Sequence, residues 1–455
     1  MTRVRPIGNR LVSMSDTRLL VIDPADRDEP RVTGELILAR SVVDYLPVGD
    51  VGVQLLSPDW YGDGIPGALR VVSNSAPDTL NGGLAELPLD LYDGQLLPLQ
   101  GSRVGLIRNA YGQNYEVSST LEVYDLSTPT APVLTARLEL PAPIWSYQDP
   151  YSVYYSSSGG ALVRTGDTLA WLESLNSYNE TPTDTPDVEY GREAQEILGR
   201  LHVLDLSSPD APSLTTLELD SSLFGLRAVD GVLYATHVEP IDESRARYFV
   251  DRFDVTDPSD PLFLGAVNVP GTAVNALQGG EVLVTLDAQW ATREQDGYSY
   301  EYTSYSLRTV RLEADKAYAL DAIPLTGYPY ALMVDGPAAY VVWQDYYWNA
   351  YTEDGCYQGA ETSLTTLSLE DPADLTISDT QVLPAYYGYF RALEAGHLFI
   401  DSGYEGLLVY DVQADPLTPR FSTFARTQGY VMRVRTQADR AYAATGMYGV
   451  SVFGL

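Results

Sequence analysis

Short apolar runs rich in β-branched residues alternate along this chain with Gly, Pro, Asp and Asn. Apolar positions spaced as on one face of a helix are almost absent, and short apolar runs bounded by turn residues are typical of strands. In its clearest stretch the pattern predicts strands at residues 262–269, 274–277, 281–286 and 307–312. The chain is therefore predicted to be all-β.

One phrase recurs between these strands: an apolar strand ends in Asp, Pro follows four residues later, and a second Pro follows three residues after the first. Asp at a strand end accepts hydrogen bonds from backbone amides a few residues further on. Two prolines make a stiff crossing that cannot pair as a central strand. We therefore expect the phrase to close one sheet and to begin the next. Its clearest copies span residues 123–132, 203–212 and 252–261.

Diverged copies bring the count to eight, and the copy at 310–315 has lost both prolines. Self-similar four-stranded units without helices are most simply arranged as a β-propeller, since a closed ring protects every sheet edge. We predict a single β-propeller domain of four-stranded blades over residues 1–455 and favour eight blades. Seven or nine blades are the alternatives, because residues 65–88 form a poor copy. The other diverged copies lie at 21–30, 69–77, 367–372 and 409–419.

The copies that begin at Val123 and Val203 resemble the LVIVD-type repeat of bacterial secreted or surface β-propeller proteins. The resemblance covers most of the chain, from Leu19 to Phe453. It implies a propeller at the cell exterior, and it supplies no catalytic residue. The chain departs from the family around Ala314, where both prolines are missing, and in several long inserts.

The chain carries 62 acidic and 28 basic residues, a formal net charge of -34. This charge repels phosphate backbones and anionic membrane surfaces, so we expect no nucleic-acid partner. No apolar stretch approaches the roughly 20 residues that span a bilayer, so we expect no membrane insertion by this chain. Strong acidity, one cysteine and 34 tyrosines resemble exported bacterial proteins. We therefore expect an extracellular or cell-surface location, with the signal segment removed or outside this sequence.

Long inserts interrupt four of the units, at 111–119, 173–199, 287–306 and 344–363. We place each insert between the third and fourth strands of its unit, and equivalent turns of a propeller open on one face. Long loops inside a compact domain are commonly binding loops. The inserts therefore predict one face rich in Tyr, Trp, Asp and Glu.

The predicted ligand-binding residues are aromatic side chains of two of these inserts. Tyr298, Tyr300 and Tyr302 alternate with a spacing of two, which predicts an extended hairpin with three phenol rings on one face. Flat rings with hydroxyl groups suit sugar faces, peptide chains or cationic groups. The alternative is that the rings only pack the hairpins against one another. The full set is Trp290, Tyr298, Tyr300, Tyr302, Tyr305, Tyr346, Tyr347, Trp348 and Tyr351.

Two acidic clusters are candidate calcium sites, because carboxylates on a turn are the oxygen ligands that Ca²⁺ prefers. Neither cluster has the complete spacing of an EF-hand, and the alternative is a solvated acidic turn. The candidate ligands are Asp23, Asp26 and Asp28 in one cluster and Asp254, Asp257 and Asp260 in the other.

Catalytic patterns are sparse. The three histidines fall in different units near strand positions, where satisfied structural histidines are expected, and Cys356 lies in an acidic loop that disfavours its thiolate. We therefore predict an extracellular or cell-surface scaffold that binds a protein or glycan partner through its insert-bearing face. A polysaccharide-acting propeller hydrolase or lyase is the alternative, and a purely structural component of a surface assembly is the third reading.

Overall fold

The structure is a computed structural model, and it describes residues 3–15, 18–58, 66–78, 83–112, 116–145, 162–174, 198–242, 245–295, 298–344, 361–385, 388–427 and 429–455. These residues form nine antiparallel sheets, of which eight have four strands and the last has three. In all nine of these sheets the strands are hydrogen-bonded in chain order. The chain divides into two compact units: Met1–Ser146, Arg391–Asp411 and Phe421–Leu455 form the first, and Tyr147–Phe390 and Val412–Arg420 form the second.

Three sheets lie wholly in the first unit before residue 146. The strands of the first sheet are β1 (Arg3–Ile7), β2 (Arg10–Met14), β3 (Arg18–Asp23) and β4 (Arg31–Ile37). Those of the second are β5 (Val42–Val48), β6 (Val51–Leu56), β7 (Gly67–Ser73) and β8 (Ala85–Leu89). Those of the third are β9 (Asp93–Pro98), β10 (Arg103–Tyr111), β11 (Val117–Asp125) and β12 (Val133–Leu140).

Four sheets form the body of the second unit. Their strands are β13 (Val163–Thr165), β14 (Thr168–Ser174), β15 (Gly199–Asp205) and β16 (Ser213–Leu219), then β17 (Phe224–Val229), β18 (Val232–Asp242), β19 (Arg245–Asp254) and β20 (Leu262–Val269). The next two sheets comprise β21 (Thr272–Leu277), β22 (Val282–Gln295), β23 (Tyr298–Glu313) and β24 (Lys316–Leu325), then β25 (Tyr328–Asp335), β26 (Ala338–Gln344), β27 (Thr362–Ser368) and β28 (Thr376–Val382).

The last two sheets belong largely to the first unit. Their strands are β29 (Tyr389–Glu394), β30 (His397–Asp401), β31 (Leu407–Asp411) and β32 (Arg420–Ala425), then β33 (Arg433–Gln437), β34 (Arg440–Ala444) and β35 (Val450–Gly454). Two short 3-10 turns, Gln278–Gly280 and Gly403–Glu405, are the helical segments among the described residues. None of the described segments is a helix long and apolar enough to cross a bilayer.

The predicted all-β fold of four-stranded antiparallel sheets is confirmed, and the strand predicted at 262–269 coincides with β20. The favoured count of eight blades is not confirmed, because the described residues form nine sheets. The first sheet differs from the others in having no fully buried residue among those described. A count of repeated phrases gives eight and not nine because each phrase follows the third strand of a four-stranded sheet, and the last sheet, β33–β35, has only three strands.

The predicted role of the proline phrase as a link between sheets is wrong. Asp125 pairs with Val133 across β11 and β12, and Asp254 pairs with Leu262 across β19 and β20, so the phrase joins the third and fourth strands of one sheet. The prolines occupy the connection itself, and the strand that follows is an outer strand, where pairing is needed on one side only. The Asp turn is confirmed: Asp125 Oδ1 accepts a hydrogen bond from the Ser127 amide at 2.8 Å.

A second hydrogen bond recurs at the same position in several sheets, at the end of the third strand. At the end of the third strand, an apolar residue donates its amide to the carbonyl of the residue that precedes the second strand. The bond recurs in six sheets, including the one whose phrase lost its prolines. The pairs are Leu126 with Ser102, Leu206 with Asp167, Val255 with Gly231, Leu312 with Glu281, Leu369 with Pro337 and Leu455 with Asp439, at 2.7 to 2.9 Å.

The core of each unit lies between neighbouring sheets. In the second unit, one buried cluster joins the β13–β16 sheet to the β17–β20 sheet, and two more continue from there to the β25–β28 sheet. In the first unit, a cluster that contains Tyr45 and Tyr442 joins the β5–β8 sheet to the β33–β35 sheet. The first strands of neighbouring sheets in the second unit, β13, β17, β21 and β25, contact one another in turn.

Candidate functional site

The second unit carries a two-stranded ribbon that extends beyond its sheet. β22 and β23 pair from Val282 with Arg311 to Gln295 with Tyr298. Pairing with β21 stops at Leu286, and pairing with β24 stops at Tyr305. The seven outer residue pairs, from Gln289 with Ser304 onward, therefore have no neighbouring strand on either side among the described residues. At about 3.4 Å per residue, this ribbon extends roughly 20 Å from its sheet.

The ribbon confirms the extended hairpin that the alternating tyrosines predict. Register places Tyr298, Tyr300 and Tyr302 at positions of one face and Trp290 and Tyr305 at positions of the other. The structure describes the side chains of Trp290, Tyr302 and Tyr305 but not those of Tyr298 and Tyr300. Trp290 is 78% exposed, Tyr302 is half-buried, and Tyr305 packs against the core of its own and the next sheet.

Tyr305 belongs to a row of tyrosines that sequence reasoning missed. Its ring meets Tyr328 edge to face at 5.7 Å between centroids, and Tyr328 meets Tyr330 at 5.0 Å. Tyr330 continues the row to Tyr389 at 6.4 Å and donates its hydroxyl to Gln344 Oε1 at 2.8 Å. The Tyr-Pro-Tyr triplet at the start of β25 was the available signal, because residues two apart on a strand share a face.

Burial in this row raises the pKa of Tyr305. The row packs Tyr305 against Tyr328 of β25 at the base of the ribbon, so for Tyr305 the packing alternative holds. Trp290 is different, since most of its surface is exposed to water. Of the predicted ligand residues with described side chains, Trp290 is therefore the one most available to a partner.

The inserts occupy a different place in their sheets from the one predicted. They connect the second strand to the third, as β10 to β11, β14 to β15, β22 to β23 and β26 to β27, and not the third to the fourth. The error follows from the misplaced phrase, which shifted the start of every unit by one strand. The predicted residues Tyr346, Tyr347, Trp348 and Tyr351 lie outside the described residues.

The acidic clusters are built into turns. Asp26 Oδ1 accepts hydrogen bonds from the amides of Asp28 and Glu29, and Asp23 forms an ion pair with Arg10. In the other cluster the partners are hydroxyl and amide groups: Asp254 Oδ1 accepts hydrogen bonds from the amide and hydroxyl of Thr256, and Asp257 Oδ1 accepts them from those of Ser259. Asp260 donates its amide to the Asp257 carbonyl. No group of three or more His, Cys, Asp or Glu side chains in the described part of the chain is arranged to hold a metal ion.

The histidines hold structural positions. His202 on β15 is fully buried, and its Nδ1 lies 2.9 Å from Thr216 Oγ1. His237 on β18 is hydrogen-bonded to Asp251 and stacks on Phe249 at 4.9 Å. The Asp251 hydrogen bond raises the pKa of His237 above 6.5, whereas burial lowers that of His202.

These shifts predict a pH dependence of stability. A raised folded-state pKa gives His237 a stabilising contribution that is complete below pH 6.5 and is lost as pH rises through the folded-state value. Between about pH 7 and pH 9, His202 is neutral in both the folded and the unfolded state and does not contribute to the pH dependence. In this range we expect the Tm to fall by a few degrees as the pH rises. Thermal unfolding followed by circular dichroism measures the slope. Asp251→Asn should flatten it, and an equal slope in both proteins would contradict the assignment.

Comparison with known proteins shows distant likenesses. No family model and no curated protein sequence matches the chain. The crystal structure of Chaetomium thermophilum Sqt1 bound to the N-terminus of the ribosomal protein L10 is 12% identical, with 91% of this chain and 97% of that chain covered and a TM-score of 0.44. A second Sqt1 crystal structure is 13% identical, with 92% and 97% covered and the same TM-score of 0.44. The computationally designed Ika8 protein is 10% identical, with 99% and 95% covered and a TM-score of 0.35. At these identities and TM-scores the likeness assigns no function to the chain.

Proposed function

We propose that this chain is a non-catalytic binding scaffold at the cell exterior, and that the β22–β23 ribbon contacts its partner. The observation that carries the proposal is the ribbon itself, with seven residue pairs beyond the sheet and Trp290 78% exposed at its base. A protein partner is the first candidate, because Trp and Tyr dominate the energetics of protein interfaces. A glycan is the second, because the same rings stack on sugar faces.

The shape of the ribbon favours binding over packing. An isolated two-stranded hairpin is marginally stable in water, so the inner part of the ribbon depends on the sheet that holds it. That sheet fixes the ribbon in the free protein, and a fixed binding element loses less conformational entropy on contact. Because aromatic positions alternate between its two faces, the ribbon can insert between two surfaces of a partner.

An exterior location is supported by composition. The formal charge of -34 keeps the surface away from anionic lipid and nucleic acid while leaving basic proteins and neutral glycans as partners. The single cysteine gives the chain little thiol chemistry to lose in an oxidising compartment.

Removal of the ribbon tests the proposal. In the shortened variant, Asn-Gly joins Ala288 to Tyr305 as a two-residue hairpin turn. Peptide-display libraries and an array of neutral and acidic glycans are screened against the wild type and the variant. We expect ligands that bind the wild type and are lost on shortening, and Trp290→Ala should weaken them about 30-fold, as for an interface hot spot.

The matched control is Tyr318→Ala on β24, an aromatic side chain that is 42% exposed away from the ribbon. It should leave binding unchanged, and all three variants should keep the Tm within a few degrees because no buried core residue is altered. If every ligand of the wild type also binds the shortened variant, the ribbon is not the binding element and the proposal is wrong.

A further inference from the structure

The last sheet of the first unit has an open edge. It consists of β33, β34 and β35, whereas each of the other eight sheets has a fourth strand beside its third. The Leu455 amide donates to the Asp439 carbonyl at 2.9 Å, and this is the hydrogen bond that Leu126 donates to Ser102 in the β9–β12 sheet. The shared bond aligns β35 with the third strands of the complete sheets, residue by residue.

The open edge leaves β35 less covered than its counterparts. Val452 lies three residues before Leu455 and is 38% exposed. The residues in the same place on β11 and β15 are Val123 and Val203, and both are 0% exposed. In those sheets a fourth strand lies beside the third. Within the part of the chain that the structure describes, no strand pairs with β35 on this side, so the last sheet has an open fourth-strand site.

The fourth strands of three complete sheets pair in one register. A small residue pairs with the residue three before the recurring donor, and apolar residues pair with those five and seven before it. The pairs are Val123–Ala136, Leu121–Leu138 and Ser119–Leu140, then Val203–Thr215, Leu201–Leu217 and Gly199–Leu219, then Arg252–Gly265, Val250–Val267 and Tyr248–Val269. Alternate residues of a strand share a face. The site beside β35 therefore suits a strand that carries one small and two apolar residues at alternate positions.

The chain contains such a segment at β4. Gly34, Leu36 and Leu38 stand at alternate positions, and in the structure Gly34 pairs with Val21 and Leu36 with Leu19 of β3. Leu38 lies four residues before β5, and the last residues of β16 and β20 lie five and three residues before the next sheet. The β4 segment therefore has the pattern and the spacing of a fourth strand that precedes the β5–β8 sheet.

The residues that follow β4 already lie beside the start of β35. Leu38 and Tyr448 line one pocket, and Val42 and Gly446 exchange backbone hydrogen bonds at 2.9 and 3.0 Å. The shared register, counted back from the end of β35, pairs the same two pocket residues. The full set of expected pairs is Gly34 with Val452, Leu36 with Val450 and Leu38 with Tyr448. Only the part of the segment before Leu38 has to move for β4 to reach β35.

We propose that β4 exchanges between β3 and the open edge of β35, with the backbone at Leu38 as the hinge. The side-chain ion pair that is lost on leaving β3, Arg18 with Glu35 at 3.0 Å, is partly exposed and contributes little. Leu36 is 48% exposed in the first sheet. On β35 it would take the place that Val267 has on β20, where the side chain is 1% exposed, so exchange removes apolar surface from water.

Exchange leaves one unpaired strand edge in either arrangement, because one strand serves two sheets. A free edge presents backbone amide and carbonyl groups to which another strand can pair. The position of β4 therefore decides whether the first or the last sheet has this edge. The exchange is separate from the β22–β23 ribbon and does not depend on the function proposed for it.

Paired cysteines trap each arrangement in a chain that also carries Cys356→Ser. Glu35 pairs with Leu20 in the structure, and after exchange it would pair with Ser451. Paired residues of antiparallel strands have Cα atoms about 4.5–5.5 Å apart, within the range of disulfides. We expect Glu35→Cys to form an intramolecular disulfide both with Leu20→Cys and with Ser451→Cys in a glutathione redox buffer, as measured by peptide mass spectrometry. Gly454→Cys is the control partner for Glu35→Cys and should form none, because it lies about 10 Å further along β35.

Hydrogen exchange gives a second measurement that uses one variant in two redox states. The disulfide between Leu20→Cys and Glu35→Cys holds β4 on β3, so the amides of Val450–Gly454 should exchange at least about tenfold faster in the oxidised than in the reduced protein. The matched control is β31, Leu407–Asp411, which has its own fourth strand and should exchange equally in both states. Because the sequence is the same in both states, a folding defect of the variant cannot produce the difference.

The outcomes that would overturn the proposal are distinct. If the Ser451→Cys disulfide does not form, or forms no faster than the Gly454→Cys control, β4 does not reach β35. If the Leu20→Cys disulfide does not form, β4 does not return to β3. A Ser451→Cys disulfide found only between two chains would mean that a second copy supplies the strand. Equal exchange of β35 in the two redox states would likewise contradict the exchange.

Discussion

Asp44→Ala is expected to lower the free energy of unfolding by about 3 kcal/mol. Asp44 on β5 is 1% exposed, and its Oδ2 accepts a hydrogen bond from the Leu96 amide of β9 at 2.8 Å. The same oxygen lies 3.6 Å from Arg433 Nε on β33. One carboxylate therefore joins three sheets of the first unit. Its removal leaves a buried amide without an acceptor and takes one carboxylate away from the Arg433 guanidinium.

The size of this effect follows from the exposure of Arg433. Loss of one partner of a fully buried ion pair costs about 3–5 kcal/mol, and the Arg433 side chain is 25% exposed, so water limits the loss to the lower end. Urea unfolding followed by fluorescence measures it. Asp50→Ala, on the exposed turn between β5 and β6, is the control and should change stability by less than about 0.5 kcal/mol.

A double variant measures how much of the loss comes from the interaction between Asp44 and Arg433. Arg433→Met added to Asp44→Ala removes the guanidinium together with the carboxylate. The losses in the two single variants, Asp44→Ala and Arg433→Met, should therefore sum to more than the loss in the double variant, by about 0.5–3 kcal/mol. If Asp44→Ala unfolds at the same urea concentration as Asp50→Ala, the carboxylate does not hold the sheets together.

Local features of the fold were predictable because their causes are local. The Asp turn requires only a carboxylate two residues before the amide that it binds, so Asp125 is enough to predict it. The ribbon is predicted by aromatic residues at every second position, of which Tyr302 is one. What the phrase could not show is which strands pair across it. A stiff proline connection suits either a hairpin or a passage between sheets, and the choice depends on Val133 finding Asp125 across the turn.

The site of strand exchange depends on contacts between distant parts of the chain. Leu38 and Tyr448 line one pocket although most of the chain separates them. No spacing rule connects them, because the pocket forms only when β5–β8 and β33–β35 pack together. Contacts between distant residues also explain why Tyr305 was wrongly predicted to bind a ligand. Its ring packs against Tyr328, which the neighbouring sheet places beside it.

Phe253→Ala is expected to lower the free energy of unfolding by about 4 kcal/mol. Phe253 precedes the Asp of the repeated phrase, is 2% exposed, and packs in the cluster between the β13–β16 and β17–β20 sheets. Tyr124 and Leu204 occupy the same place in their own sheets and are also buried. Deleting the ring removes its contacts with both sheets and leaves a cavity that close-packed sheets cannot fill.

Phe263 provides the matched control within the same sheet. Its ring lies 5.2 Å from that of Phe253 but is 57% exposed on the outer strand β20. Phe263→Ala loses only this ring contact, so it should cost about 0.5–1.5 kcal/mol. Urea midpoints of the two variants, compared at equal m-values, measure the difference. Equal losses would mean that Phe253 adds no more to stability than an exposed ring, whereas the expected gap shows that its buried ring holds the β13–β16 and β17–β20 sheets together.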